Sequence, residues 1–424
     1  MRETVHEIWL SLGIGPGGAF GKLFDTFGDV YGIYSATAGD LDETGLPGGM
    51  IRKLKNKDLG EAARIAAFCE KHNIEITVYG KPGYPGPLTA IDTPPYLLYV
   101  SGRLPDFERR FGLGIVGSRN MTGYGMRTAY RTAYETAAAG AVIVSGMARG
   151  IDGTAAVGAL EAGGTTVAVT GSGLDAAYPA EHDALMKAIA GSGAVISEYP
   201  PGSPPLAGHF PVRNRLIAGL SDALLVVEAG RKSGAMLTAD IALNQGKNIF
   251  AVPGRTEDPS SEGPNSLLGM GAGICLSGAD ILSPYLEKYP SSLNSESYAR
   301  ATVSSAVTTE ILAEYGVKAV VDDCTGNIYP APPEPAVSVT VPKKRQTTPK
   351  TEQSAQPAAA DRGRGRLPPE GEQRDFYLLI PRGERVGADF FADRGYSPRR
   401  AMELLTLLEI SGYITGVPGG LYVL

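Results

Sequence analysis

At 424 residues, 43% hydrophobic and 20% charged, the chain has the composition of a globular protein and the length of two to four domains of roughly 100–200 residues. A net charge of −6 argues against coating duplex DNA by bulk charge but leaves room for a local basic groove. Three scattered cysteines and four histidines without ligand spacing predict neither a disulfide framework nor a metal, and no cofactor is expected.

The first residues carry Arg2, Glu3 and Glu7 with no apolar run behind them, so no signal peptide is expected. Uncharged stretches such as Gly263–Ala279 are too rich in Gly, Asn and Ser to span a membrane, which predicts a cytoplasmic protein. Residues 1–75 read as short helices punctuated by Gly and Pro. Within them, Pro16-Gly17-Gly18 followed by Lys22-Leu23 recurs 31 residues later as Pro47-Gly48-Gly49 followed by Lys53-Leu54. Each copy sets a Gly-rich turn before a helix. Such a turn either offers backbone N–H groups to a phosphate, as in helix-hairpin-helix modules, or lets two helices pack closely. Residues 76–110 read as an extended, Pro-rich connector.

From 111 to 285 the pattern is a strand-turn-helix rhythm. Apolar runs rich in Val and Ile occur at Gly114–Val116, Ala141–Val144, Val167–Val169, Ala194–Ile196, Leu224–Val227 and Ile249–Val252. They are apolar throughout instead of alternating, as in strands buried on both faces. Helical patterns lie between them at Arg127–Ala139, Asp152–Ala162, Ala184–Ala190 and Ala235–Asn244. This alternation predicts an α/β domain with a doubly wound, mostly parallel, Rossmann-like sheet.

Residues 286–372 read as a mostly disordered linker: Pro330 to Asp375 holds no aromatic residue. The linker's start is open, because Thr308–Val321 also fits a helix and a strand. Residues 373–424 regain pattern. Ser397-Pro398 reads as the start of a helix with Met402, Leu404, Leu405 and Leu408 on its apolar stripe, ended by Gly412. Tyr413-Ile414-Thr415 and Leu421-Tyr422-Val423 flank a Gly-rich turn, Gly416–Gly420, so a small winged helix is expected.

In an open parallel sheet, ligands bind beyond the carboxyl ends of the strands. There this sequence places Gly117, Ser118 and Arg119; Ser145, Gly146 and Arg149; Phe210, Arg213, Asn214 and Arg215; and Lys232, Ser233 and Gly234. Small residues let backbone approach an anion, and Arg adds forked phosphate contacts. The convergence predicts a phosphate-binding crevice. No GxxxxGK[ST] loop occurs, and GxGxxG is missing after the first strand. A nucleic-acid backbone would use several such turns at once, and Tyr124, Tyr178, Tyr199 and Phe210 lie in or near the loops to stack on bases or to fill the core. Asp152, Asp175, Glu198 and Glu228 read either as an acid/base pair or, preferably, as a helix cap and partners of the arginines.

Taken in order, these strings resemble the DNA-processing protein A family (DprA, also called Smf). The matching pieces include Gly117-Ser118-Arg119, Ser145-Gly146 through Gly150-Ile151-Asp152, Gly173-Leu174-Asp175 with Tyr178-Pro179, Ser197-Glu198-Tyr199-Pro200, Phe210-Pro211 with Arg213-Asn214-Arg215, Ser233-Gly234 and Ala251-Val252-Pro253-Gly254. The resemblance implies a non-enzymatic protein that binds single-stranded DNA and loads the recombinase RecA during natural transformation. It also implies a homodimer formed through the Rossmann-like domain and a basic pocket in which Arg119 contacts DNA, with Gly146, Phe210, Arg213 and Lys232 beside it. Many members put a Lys just after the Tyr-Pro pair; here Ala180 stands there, with Lys187 as a substitute. In the linker, Lys343-Lys344-Arg345 and Arg362, Arg364 and Arg366 read as a solvated face or as weak DNA contacts.

The alternative is a nucleotide-processing enzyme of the phosphoribohydrolase kind, which uses a similar sheet. Its Pro-Gly-Gly-x-Gly-Thr turn would fall at Gly230–Thr238. That segment has Ser233-Gly234 but no Pro-Gly-Gly and no Glu, only Asp240 nearby.

Overall fold

The computed structural model describes residues 2–297, 309–317, 319–321 and 328–330, and then 376–377, 379–380, 386, 390–391, 394, 396, 401, 404–405, 408, 414–417 and 421–423. The basic clusters at 343–345 and 362–366, the Ser397-Pro398 start, Met402 and Gly412 lie outside the described residues. The chain forms two compact units, Met1–Val337 and Ser338–Leu424.

The first unit opens with six helices: α1 (Arg2–Ile14), α2 (Gly21–Phe27), α3 (Val30–Ser35), α4 (Ala38–Glu43), α5 (Gly48–Lys55) and α6 (Gly60–Lys71). Short polar residues start the small ones. Asp29 accepts the Gly32 N–H at 2.8 Å, and Thr37 and Asp40 form a reciprocal capping box on α4. Ile8, Leu10, Leu23, Ile33 and Leu54 are fully buried among these helices.

A nine-stranded sheet follows, in the order β1-β2-β6-β5-β4-β3-β7-β8-β9. Its strands are β1 (Ile74–Val78), β2 (Leu97–Gly102), β3 (Gly112–Val116), β4 (Val142–Ser145), β5 (Thr165–Thr170), β6 (Ala194–Ser197), β7 (Ala223–Val226), β8 (Asn248–Ala251) and β9 (Gly273–Ile274). Neighbours from β6 to β9 pair in parallel, whereas β2 pairs antiparallel with both β1 and β6. All six apolar runs are strands. The stretch 76–110 is not a free connector: β2 and most of β1 lie in it, because Leu97, Leu98, Tyr99 and Val100 are apolar enough to be buried inside the sheet.

Helices α7 (Gly123–Ala138), α8 (Ile151–Glu161), α9 (Asp183–Ser192), α10 (His209–Leu220), α11 (Gly234–Asn244), α12 (Glu262–Gly269) and α13 (Gly278–Leu282) join the strands. Successive strand residues bury on opposite faces. Ile143 joins the cluster of Met126, Ala155 and Leu185 from α7, α8 and α9; Val142 and Val144 join that of Leu216, Ile217 and Ala239 from α10 and α11. The sheet is therefore covered on both sides, which explains why its strands lack polar alternation.

α10 carries Phe210 to Arg215, a stretch in which the sequence predicts no helix. Arg213, Asn214 and Arg215 are buried together with Leu216 and Ile217, so no polar face marks the helix. The expected linker also starts too early. Tyr289, Leu293, Leu312 and Val317 are buried in the first unit, and Tyr289 Oη donates to Asp222 Oδ1 at 2.6 Å. A short helix, Thr309–Glu314, and a hairpin of β10 (Ala319–Val321) with β11 (Ile328–Pro330) follow.

In the second unit Phe376 and Phe391 stack with ring centroids 4.1 Å apart. Leu404, Leu405, Leu408 and Ile414 are buried with them. β12 (Thr415–Val417) pairs antiparallel with β13 (Leu421–Val423), so Gly416 and Val417 belong to a strand and not to the turn.

Candidate nucleic-acid interface

The parallel strands β3 to β8 run with their carboxyl ends on one edge, and chain order reverses between β3 and β7. At this switch point the first helix, α7, would ordinarily offer its N-terminus to a phosphate. Here a carboxylate already sits there. Glu228, beyond β7, accepts the Thr122 N–H at 2.8 Å and the Thr122 hydroxyl, and Thr122 caps α7. A Cβ on Gly125 would lie 2.3 Å from the Glu228 carboxyl carbon, so nothing fits between them. An anion would be repelled from this helix end.

The cationic cluster lies beside it, over the ends of β3, β4 and β5. Arg119 is exposed and, among the described residues, has no hydrogen bond or ion pair; its guanidinium carbon stands 5.2 Å from the centre of the Phe210 ring. Arg213 approaches the same ring at 5.9 Å and is buried. Arg213 Nη1 donates to the Val169 carbonyl of β5, and its Nε has no partner among the described residues. Burial pushes Arg213 down to about 10, against the pull of Asp152. Burial also raises Asp152, whose carboxylate accepts the Gly146 N–H at 3.2 Å. Tyr178 extends the surface: it is exposed, and its ring centre lies 5.6 Å from that of Phe210.

Gly146 is compressed between Arg213 and Asp152. A Cβ there would stand 2.2 Å from Arg213 Nη1 and 2.6 Å from Asp152 Oδ2. Gly150, with φ +76, turns the chain into α8, and Met147 takes a left-handed φ of 52 although it is fully buried. The Met147 carbonyl faces His182 Nδ1 at 3.0 Å. No residue type signalled Met147 in the sequence.

The other expected residues divide. Lys232 is exposed in the loop after β7, together with Arg231, and neither has a charged partner among the described residues. Ser233 caps α11, accepting the Met236 N–H at 3.4 Å, and the Gly234 carbonyl accepts from Asn214 at 3.4 Å. Ser118 closes its own turn, with its hydroxyl 2.8 Å from the Asn120 carbonyl, and Gly117 is seated against Ile151. The Ser145 hydroxyl is buried and donates to the Ile115 carbonyl at 2.6 Å, so it serves the sheet. Arg149 pairs with Glu181, and Lys187 pairs with Asp183 along an exposed face of α9.

Arg215 does not face the crevice. Its Nη2 grips both Glu198 oxygens at 2.7 and 2.8 Å, and its Nε reaches Thr93 at 3.1 Å. Glu198 also accepts the Gly17 N–H at 3.0 Å, so the first Gly-rich turn spends a donor inside the fold. Asp175 accepts the Gly202 N–H at 2.6 Å. Of the four acids, then, Glu198 alone forms an ion pair with an arginine among the described residues, while Asp152 feels the charges of Arg213 and Arg119 without one. Tyr199 is buried against His209, with ring centres 4.0 Å apart, and the Tyr124 hydroxyl donates to the Pro253 carbonyl at 3.0 Å. Among the described residues no helix is long and apolar enough to cross a membrane.

Residues 75–285 match the family described as DNA recombination-mediator protein A. The chain is 39% identical over 243 residues to protein Smf of Synechocystis sp., spanning 55% of this chain but 61%, less than two thirds, of that protein. It is 37% identical over 225 residues to DNA processing protein DprA of Bacillus subtilis, spanning 53% of this chain and 76% of that one. The crystal structure of DprA from Streptococcus pneumoniae aligns with a TM-score of 0.57 at 31% identity, over 66% of this chain and 97% of the other. The chain belongs to the DNA recombination-mediator protein A family.

Proposed function

We propose that this protein binds single-stranded DNA across the carboxyl edge of its sheet and delivers the strand to a RecA recombinase in the cytoplasm, during DNA uptake and recombination. The observation that carries the reading is the cluster of Arg119, Phe210 and Arg213. An exposed cation that forms no ion pair among the described residues lies over an aromatic ring, with a second, buried cation beside it. A single strand supplies what both lack, phosphates for Arg119 and a base face for Phe210 and Tyr178. In a duplex those base faces are already stacked. The recombination-mediator description of the family supports the step to RecA.

The protein works by binding and not by catalysis. The acids at the strand ends are engaged by backbone N–H groups, by Thr122 or by Arg215. In this reading, residues 1–75 form a helix-hairpin-helix- or SAM-like domain, 111–285 the Rossmann-like DNA-binding domain and 373–424 a winged helix. A homodimer would form through the Rossmann-like domain. Its far edge favours one: Met270, Ile274 and Leu276 beside β9 are 68%, 55% and 64% exposed.

The test is fluorescence anisotropy of a labelled single-stranded oligonucleotide and its duplex over a salt series. Salt-sensitive binding that prefers the single strand is expected. Absence of binding at low salt would sink the reading and turn attention to nucleotide hydrolysis.

A further inference from the structure

At the switch point between β3 and β7 the chain supplies its own anion. Glu228 is buried, 3% exposed, yet no lysine, arginine or histidine among the described residues forms an ion pair with it. A buried carboxylate without a cation is costly, so another positive group must balance it. Here the balance is the start of α7, a helix of 16 residues. The Thr122 N–H donates to one carboxylate oxygen at 2.8 Å, the Thr122 hydroxyl donates to the other, and the positive end of the helix dipole lies behind them.

Gly125 completes the fit. A Cβ there would stand 2.3 Å from both the carboxyl carbon and Oε2 of Glu228, so only glycine lets the carboxylate seat itself against the first turn. The cradle has the donors an oxyanion needs, and an oxyanion of the chain fills it. The same turn borders the crevice. Arg119 lies three positions before Thr122, which is half-buried, and Tyr124, two positions after it, is 47% exposed, so this end of α7 meets solvent. In an open parallel sheet the phosphate of a free nucleotide sits at this helix end. Held there, a nucleotide would lie beside Arg119 and compete with a strand.

We propose that Glu228 is a specificity-determining residue: its carboxylate occupies the phosphate position at the start of α7 and thereby keeps free nucleotides out of the crevice. A strand does not need that position. It repeats phosphate and base along its length and gathers the separate contacts of Arg119, Phe210 and Tyr178, whereas a mononucleotide offers one phosphate and one base. This role rests on the reading that the crevice binds single-stranded DNA; the closure of the α7 end stands without it.

The first measurement is thermal unfolding of the full chain with inorganic phosphate added at constant ionic strength. Glu228→Ala empties the cradle, and phosphate should restore what the carboxylate supplied. The expected result is a saturable rise in Tm that the wild type lacks and that persists when Arg119→Ala is added. Glu228→Ser, which leaves a hydroxyl for the Thr122 N–H, serves if Glu228→Ala does not fold. A merely structural carboxylate would leave both variants unstable and indifferent to phosphate, and that result overturns the proposal. So does an equal rise in the wild type, or a rise that Arg119→Ala removes.

The second measurement is the anisotropy of a bound single-stranded oligonucleotide during addition of deoxyadenosine monophosphate at constant ionic strength. Displacement from Glu228→Ala or Glu228→Ser should need about tenfold less nucleotide than displacement from the wild type. Equal displacement overturns the role in specificity and reduces Glu228 to a partner of the helix cap. Failure of the wild type to bind the strand sinks the DNA reading alone, and the phosphate response of the emptied cradle still decides whether Glu228 stands in for a bound phosphate.

Discussion

The Arg119 guanidinium lies over the ring of Phe210 at 5.2 Å, although the two residues are far apart in sequence, one in the loop after β3 and the other in the first turn of α10. The ring's negative face holds the side chain in place without neutralising it. Arg119→Ala should therefore weaken single-strand binding and lower the salt slope by about one counterion. Phe210→Leu should weaken binding by about 1–3 kcal/mol and leave the slope unchanged. Anisotropy at several salt concentrations measures both; an unchanged affinity and slope in Arg119→Ala would place the crevice elsewhere.

Gly146→Ala puts a methyl 2.2 Å from Arg213 Nη1. Either the guanidinium moves or the β4 end does, at a cost of about 1–3 kcal/mol in stability. The expected variant is folded by circular dichroism, less stable in urea, and about tenfold weaker on single-stranded DNA. Full affinity together with the lost stability would mean that Arg213 is only a structural cation.

Arg215→Ala should act on stability and not on DNA. It leaves Glu198 buried without its cation and strains the contact to Gly17, a change worth about 3–5 kcal/mol. Urea unfolding should register the loss, while affinity measured under conditions where the variant stays folded should match the wild type. A lowered salt slope in that sample would return Arg215 to the DNA surface.

His182 introduces a pH dependence. It is buried, and burial lowers its pKa below the ordinary 6.5. The unfolded chain then takes up the proton more readily than the folded one. The stabilising effect is complete above the unfolded value and is lost as pH falls below about 6.5. His182→Asn, which keeps a donor for the Met147 carbonyl, should flatten the acid limb of a Tm-against-pH curve. Identical curves for the two proteins would show that His182 is free to protonate in the fold.

The parallel sheet was legible because its cause is local. Strands such as Val142–Ser145 and Ala223–Val226 are buried on both faces and so are apolar without alternation, and helices recur between them. β2 was missed because Leu97–Gly102 sits among prolines, and α10 because a helix buried on nearly all sides shows no amphipathic period. The extent of the first unit past residue 285 was hidden for a related reason. Tyr289 and Leu293 are isolated apolar residues in a polar stretch, and only their docking gives them a core.

By itself the sequence determined that small, hydroxyl and cationic residues gather at one edge of a sheet, because connections in an α/β fold return to that edge after every strand. Which arginines remain available was decided only in three dimensions. Arg213 and Arg215 lie two positions apart on α10 and so point to different sides of it. One reaches a carbonyl 44 positions away on β5, beside Gly146; the other meets Glu198, 17 positions away. Charge compensation acts over a few ångströms, and those distances are set by packing between elements, not by residue type.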